Sequence, residues 1–511
     1  MNKKIIRALV FIIAFLMIVL CLAGCNGKTN QSATATPSTE PTKNGGGGPN
    51  DLGGRTVRVL YWMVQPGEGA APFADMGQEG VVMTQRIEEI QNNYNCKIQW
   101  VGDGTTHQAW DAMHKSILIG KPITDIAMVG NEHVIQAFEK GGLYTVLNDY
   151  ADEIELNNQD LWDQKQIEQL FTLGGMTLAV APAMSGIEQV FWGSICFFNK
   201  TMLERENLWN DYNLYEMQMN KTWTWAKMEE IAEKVVKDLN GDGVTDQYGL
   251  IYNAHTHVGL NASNSDGNYY GFFDVDPDGK AVFRGREPAR MAVMELFYNA
   301  GKAGKGWLHI IDVPGQGPNE ASREFFAAGN SAFIIDYGNQ IQNYKELGMQ
   351  DTIGAVAVPM GPDNTVNEYF LARQYYKPWI IPRNIENTEQ IALVMKELCK
   401  PLYTLEEMEI GIEATLSDYI GGESQIIDTY IMMGHPDRGA NCMESPFIAT
   451  WAAPIASFYG SFGALINGEI DPRGLNEMWG DQVQQTMNDY WAKVLEGVER
   501  MQKKRKEAGL A

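Results

Sequence analysis

The chain has 511 residues, 44% of them hydrophobic and 20% charged, with 64 acidic against 40 basic side chains and a formal net charge of −24. That balance opposes nucleic acid, and anionic lipid, as partners of the folded body, because both need basic surface to displace counterions. The length is enough for more than one hydrophobic core.

Lys3, Lys4 and Arg7 form a basic head, followed by a largely apolar stretch over residues 8–22. This is the layout of a secretory signal peptide, with an apolar part too short for a comfortable membrane span. It ends in Leu22-Ala23-Gly24-Cys25, which resembles the lipobox of bacterial lipoproteins. The resemblance implies cleavage before Cys25 and a diacylglyceryl group on its sulfur, and two acyl chains give stable attachment where one is marginal. Residues 1–24 are then a leader, and losing its three cations makes the mature chain still more acidic. Residues 26–54 are rich in Ser, Thr, Gly and Pro and contain no aromatic residue. Such a segment buries too little apolar area to order itself, so it reads as a tether with an end-to-end distance of about 30 Å.

The body, residues 55–511, alternates strand and helix patterns. Residues 56–62 read as a buried strand, 82–93 as a helix, 97–100 and 125–129 as strands, and 133–140 as a helix stopped by Gly141-Gly142. Residues 225–237 read as an amphipathic helix with Thr224 as its cap. Residues 248–252, 331–335 and 379–381 look like further core strands, and 482–506 like a long terminal helix with a charged end. The alternation predicts an α/β fold with parallel strands. No internal repeat is visible. Cys96, Cys196, Cys399 and Cys442 are scattered without a CxxC pair, so a zinc site is disfavoured; isolated buried thiols are expected, with pairing left open.

The sharpest local motif follows the residue 225–237 helix. Asp238, Asn240, Asp242 and Asp246 stand at positions 1, 3, 5 and 9 of a loop with Gly243 at position 6, which resembles the calcium loop of EF-hands. Val244 would supply a carbonyl and Gln247 stands just past the ninth position. Position 12 is Gly249 rather than an acid. A structural Ca2+ is the expectation, since the loop offers no reacting group. Asp274, Asp276 and Asp278 begin with the same alternation, but Val282 occupies the ninth position, and Pro277-Asp278-Gly279 reads as a hairpin turn. His255 and His257 have no neighbours in sequence that complete a metal set.

The order of these segments resembles the extracellular solute-binding proteins of bacterial ABC importers, in the branch that takes sugars and oligosaccharides. The matching pieces include Tyr61-Trp62 after the first strand, residues 124–128, and Cys196-Phe-Phe-Asn-Lys200. Further on come residues 222–225, residues 325–332 and Pro378-Trp379-Ile380-Ile381. In size the chain looks closest to members binding alginate oligosaccharides. The resemblance implies a periplasmic-binding-protein-like fold: two α/β lobes, discontinuous in sequence, joined by crossing segments around a cleft. The chain is expected to leave the first lobe near residues 110–131. Solute would drive hinge closure, and the closed monomer would dock on permease subunits at the outer face of a Gram-positive-type membrane, touching lipid only through its anchor.

Sugar rings present C–H patches that pack on aromatic faces, while amides and carboxylates bind hydroxyls. Thirteen Trp and 21 Tyr are available. Position in the family pattern selects Trp62, Asn131, Trp192, Tyr337 and Trp379, with Trp451 as a weaker candidate; each also has a core-packing reading. An exported glycoside hydrolase would need two acids set at a fixed separation, and no such pair is recognisable in the sequence. Ligand sensing, or uptake of peptides or another solute, keeps the fold and changes the role.

Overall fold

The computed structural model describes residues 50–510 apart from 62–76, 103–105, 184–186, 268–270, 303–305, 312, 314–315, 373–377, 402–406, 418, 420–421, 441–446 and 448–451. Nine strands build two separate sheets: β1 (Arg55–Leu60), β2 (Cys96–Val101), β3 (Ile126–Met128), β4 (Ser194–Asn199), β5 (Tyr248–Tyr252), β6 (Leu308–Ile310), β7 (Ser331–Tyr337), β8 (Ile353–Ala357) and β9 (Trp379–Ile380). The first sheet has the order β9-β3-β1-β2 and the second β6-β5-β7-β4-β8. Two strands break the expected parallel rule. β9 runs against β3, and β4 runs against both β7 and β8.

The strand sequences explain their burial. All residues of β4 and β7 are buried, because helices cover both faces, and such strands become near-continuous apolar runs. Phe333 of β7 lies between Leu250 of β5 and Phe198 of β4 in register. In the first sheet Val57 pairs with Ile98 and Val59 with both Trp100 and Ile126. The helix Trp225–Val235 buries Trp225, Met228, Ile231, Ala232 and Val235, one face at helical spacing. Thr224 stands at its N-cap position but its side chain makes no capping bond. This helix lies so close on β5 that a Cβ on Gly249 would run into Ala232 and the Trp307 carbonyl.

The crossing between sheets lies later than residues 110–131. Trp110 sits in the helix Thr106–Leu118 and Asn131 opens the helix Asn131–Glu139, both packed on the first sheet. The chain stays there because its next segment is pinned to the returning strand: Tyr144 bridges Pro382, Val180 bridges Trp379, and Thr145 N–H donates to the Ile381 carbonyl. It crosses between Pro182 and Ser194, returns between Ala372 and Trp379, and crosses again after the helix Thr388–Cys399. The lobes are thus discontinuous in sequence. The terminal helix, Pro472–Glu507, starts ten residues before its expected beginning, with Asp471 capping Gly474 N–H. It packs on both lobes, and the buried apolar side chains run from the first sheet to the second as a continuous cluster.

Phe273–Val275 and Ala281–Phe283 form the expected antiparallel hairpin around Asp276–Lys280. Cys96, Cys196 and Cys399 are buried free thiols, and burial pushes the Cys96 thiol up to about 11. Cys442 lies outside the described residues. Among the described residues no helix is long and apolar enough to cross a membrane.

Candidate functional site

In open α/β sheets ligands gather outside the carboxyl ends of the strands. Here β1, β2 and β3 end at Leu60, Val101 and Met128, and β5, β6 and β7 end at Tyr252, Ile310 and Tyr337. The antiparallel strands β9 and β4 begin at those same edges, at Trp379 and Ser194. The selected residues follow this geometry. Asn131 lies just past β3, Trp192 just before β4, Tyr337 closes β7 and Trp379 opens β9. Trp62 would follow β1, but both it and Trp451 lie outside the described residues.

On the second lobe the edge is an aromatic and ionic cluster. The half-buried Trp192 meets the buried Tyr337 ring edge-on at 6.2 Å, and the His255 ring lies 3.9 Å from Tyr337 between centroids. His255 is set there by its helix, Ala254–Ser263, whose Asn253–Thr256 capping box closes the turn after β5. Behind the rings sits Asp336, fully buried. Its carboxylate accepts Arg323 Nε at 2.7 Å and the second guanidinium nitrogen at 2.9 Å, Tyr344 O–H at 3.1 Å and Tyr337 N–H at 2.8 Å. His255 Nε2 is 3.7 Å away. Burial works against the Arg323 charge, but the adjacent Asp336 reverses that and holds its pKa above the ordinary value. Asp336 was not selected from the sequence, although a lone acid in an otherwise apolar strand, SAFIIDY, is a visible signal.

The first-lobe edge carries a second polar group of side chains. Asn131 is buried, and its Oδ1 has no hydrogen-bond partner among the described residues. His133 Nδ1 is 3.3 Å from Glu132, and its ring packs 4.3 Å from Trp110, whose indole donates to the Met128 carbonyl at 3.0 Å. His114 bonds Tyr144 O–H at 2.5 Å; burial, with His133 nearby, lowers its pKa to about 3. Trp379 is buried and its backbone exchanges two hydrogen bonds with Val180.

The acidic loop behind the second lobe is spent on its own backbone. Asp238 accepts from Gly241 and Gly243 N–H, Asn240 from Asp242 N–H, Asp242 from Val244 N–H, and Asp246 from Leu239 and Asn240 N–H. These amides hold Asp238 below the ordinary carboxylate range. Gln247 is turned out of the loop: its oxygen takes Arg205, and its amide donates to Glu206 and the Val235 carbonyl. Position 12 lies inside β5, where only glycine fits beneath Ala232. Among the described residues no group of three or more His, Cys, Asp or Glu is placed to hold a metal ion. His257 bonds Tyr252 instead, and burial lowers its pKa to about 3.

Solved structures share this architecture. An ABC substrate-binding protein of Listeria monocytogenes in complex with cycloalternan matches at a TM-score of 0.54 and 13% identity, over 85% of this chain and 99% of that one. The GacH receptor of Streptomyces glaucescens, solved unliganded and with acarbose, matches at 0.53 and 13%, over 86% and 99%. An extracellular solute-binding protein of Staphylococcus aureus in complex with maltose matches at 0.53 and 12%, over 89% and 99%. At these identities the likeness is one of fold, the two-lobe fold of periplasmic-binding-protein type. No curated protein sequence matches the chain. The sequence profile of the bacterial extracellular solute-binding proteins matches residues 85–401, more than half of the chain, and the protein belongs to that family.

Proposed function

We propose that this protein is the lipid-anchored binding component of an ABC importer, capturing an oligosaccharide between its lobes and passing it unaltered to a permease. The observation that carries the reading is the ring cluster of Trp192, Tyr337 and His255 at the carboxyl edge of the second sheet. The partly exposed Trp192 ring, propped edge-on by the buried Tyr337 and the Arg323–Asp336 ion pair, suits the C–H face of a sugar ring, and rigid placement limits the entropy lost on binding. The complexes of the structural neighbours, with cycloalternan, acarbose and maltose, point to the same ligand class. Asn131 and Glu132 on the first lobe supply hydroxyl-binding groups for the opposite side of the ligand.

The reading is one of binding rather than turnover. A glycosidase needs one carboxyl group free to give a proton and a second to attack or activate water. Asp336, the buried acid behind the rings, has its oxygens taken up by four hydrogen bonds. Incubation with a panel of mono- and oligosaccharides tests the reading: a raised melting temperature with the sugar recovered intact supports it, and released products would replace it with an enzyme.

Two features complete the proposal. Acylation of Cys25 would hold the domain at the outer membrane face on its tether, tested by loss of membrane association in Cys25→Ser. Calcium would clamp the loop carrying Asp238, Asn240, Asp242, Val244 and Asp246, whose oxygens would exchange backbone amides for the ion.

A further inference from the structure

The terminal helix is gripped by both lobes. Pro472–Glu507 has 36 residues, and at 1.5 Å per residue its length is about 54 Å. Its first twenty residues hold the second lobe through the 273–283 hairpin. Gln484 accepts Phe283 N–H and donates to the Ala281 carbonyl, each at 2.8 Å, and Trp491 Nε1 donates to the Gly279 carbonyl at 2.7 Å. Arg286 of the same lobe bonds Asp481 at 2.6 Å.

Its last turns hold the first lobe. Gly497 lies against the end of the helix Asn131–Glu139 so closely that a Cβ there would strike the Phe138 carbonyl oxygen. Arg500 donates to the Glu139 carbonyl at 2.7 Å, Gln502 to the Gly174 carbonyl at 2.9 Å, and Arg505 forms two 2.6 Å bonds with Asp149. Trp491 and Gly497 are less than two turns apart. Any rotation of one lobe against the other must therefore bend this short stretch or release one set of grips.

We propose that the C-terminal helix is a strut joining the lobes independently of the three crossing segments, that it sets their resting angle, and that it flexes between Trp491 and Gly497. An α-helix resists sharp bending unless its hydrogen-bond ladder is disturbed, and glycine is one of the residues at which that happens. The strut opposes closure by an energy that ligand must overcome, so it also tunes affinity through the lobe equilibrium. This rests on the two-lobe fold and not on the identity of the ligand.

The test is the lobe-to-lobe distance in the ligand-free mature chain. Spin labels go on Glu89→Cys and Glu346→Cys, exposed positions on the first and second lobes, with Cys25 and Cys442 replaced by Ser. Removing the first-lobe grips with Arg500→Ala and Arg505→Ala is expected to give a roughly twofold broader distance distribution. Gln484→Ala should broaden it from the other end, and Gly497→Val should shift its mean by forcing the helix off the Asn131–Glu139 helix. Lys503→Ala, exposed on the same helix, should leave it unchanged. Arg500 is exposed and Arg505 partly buried against Asp149, and the pair keeps the test available if Gly497→Val fails to fold. A folded Arg500→Ala/Arg505→Ala protein with the parent distribution would overturn the proposal, whatever sugar the protein binds.

Discussion

Trp192 and Tyr337 are held at the site by different means. Tyr337 is the last residue of a fully buried strand and its N–H is fixed by Asp336, whereas Trp192 is half-buried and leans on it. Tyr337→Ala and Trp192→Ala should each weaken oligosaccharide binding by about tenfold or more, the scale of a buried aromatic anchor. Titration calorimetry checks this; unchanged affinity in both variants would move the binding surface elsewhere. Two histidines make a separate prediction about pH. Burial lowers His114 and His257 to about 3 in the fold, with His133 and His255 as lesser contributors. The unfolded chain binds those protons near 6.5, so the stability these two residues contribute is present above that pH and is lost as pH falls from about 6.5 toward 3. By pH 5 the loss should be about 2 kcal/mol for each histidine, from a gap of about 1.5 units below 6.5. Denaturation of His257→Gln at pH 7.5 and pH 5 should show a smaller acid loss than the parent; an equal loss would show that His257 is not held neutral.

At the scale of elements, the acidic loop gives the sharpest contrast between sequence and fold. The alternation from Asp238 to Asp246 was readable, and so was the hairpin at Asp276–Lys280, because turn chemistry is local. The absence of an acid at position 12 had no explanation in one dimension. It follows from packing: Gly249 belongs to β5, pressed under Ala232 of the preceding helix. If calcium enters the loop, chelator should lower the melting temperature, and Asp242→Ala should abolish that difference while leaving the apo melting temperature nearly unchanged. A chelator-insensitive parent protein would remove calcium from the account. Strands β5 and β7 and the helices read at 82–93, 133–140, 225–237 and 482–506 were legible because their apolar periodicity is strong, whereas β6, β8 and most of the other helices were not read. The antiparallel course of β4 and β9 was not, since strand direction depends on where the chain crosses and returns. The extra turns at the start of the terminal helix were missed because Gly474, Asn476 and Gly480 interrupt their apolar stripe. Asp336 and Arg323 escaped notice for a related reason: their pairing joins a helix and a strand, and only the fold brings them together.

For the whole molecule, two sheets whose carboxyl edges carry aromatic and amide side chains fit the proposed receptor, in which a ligand would touch both lobes. Sequence order alone showed the family and the α/β class, while the crossing between Pro182 and Ser194 needed the pairing of Val180 with Trp379 to be seen. In the proposed cycle the lobes close over an oligosaccharide that leaves unchanged. Its most direct test is the lobe-to-lobe distance with and without a panel of oligosaccharides, run beside a panel of peptides, with the sugar assayed afterwards. At least one oligosaccharide should shorten the distance, raise the melting temperature and be recovered intact. Shortening by peptides alone, or recovery of cleaved sugar, would contradict it.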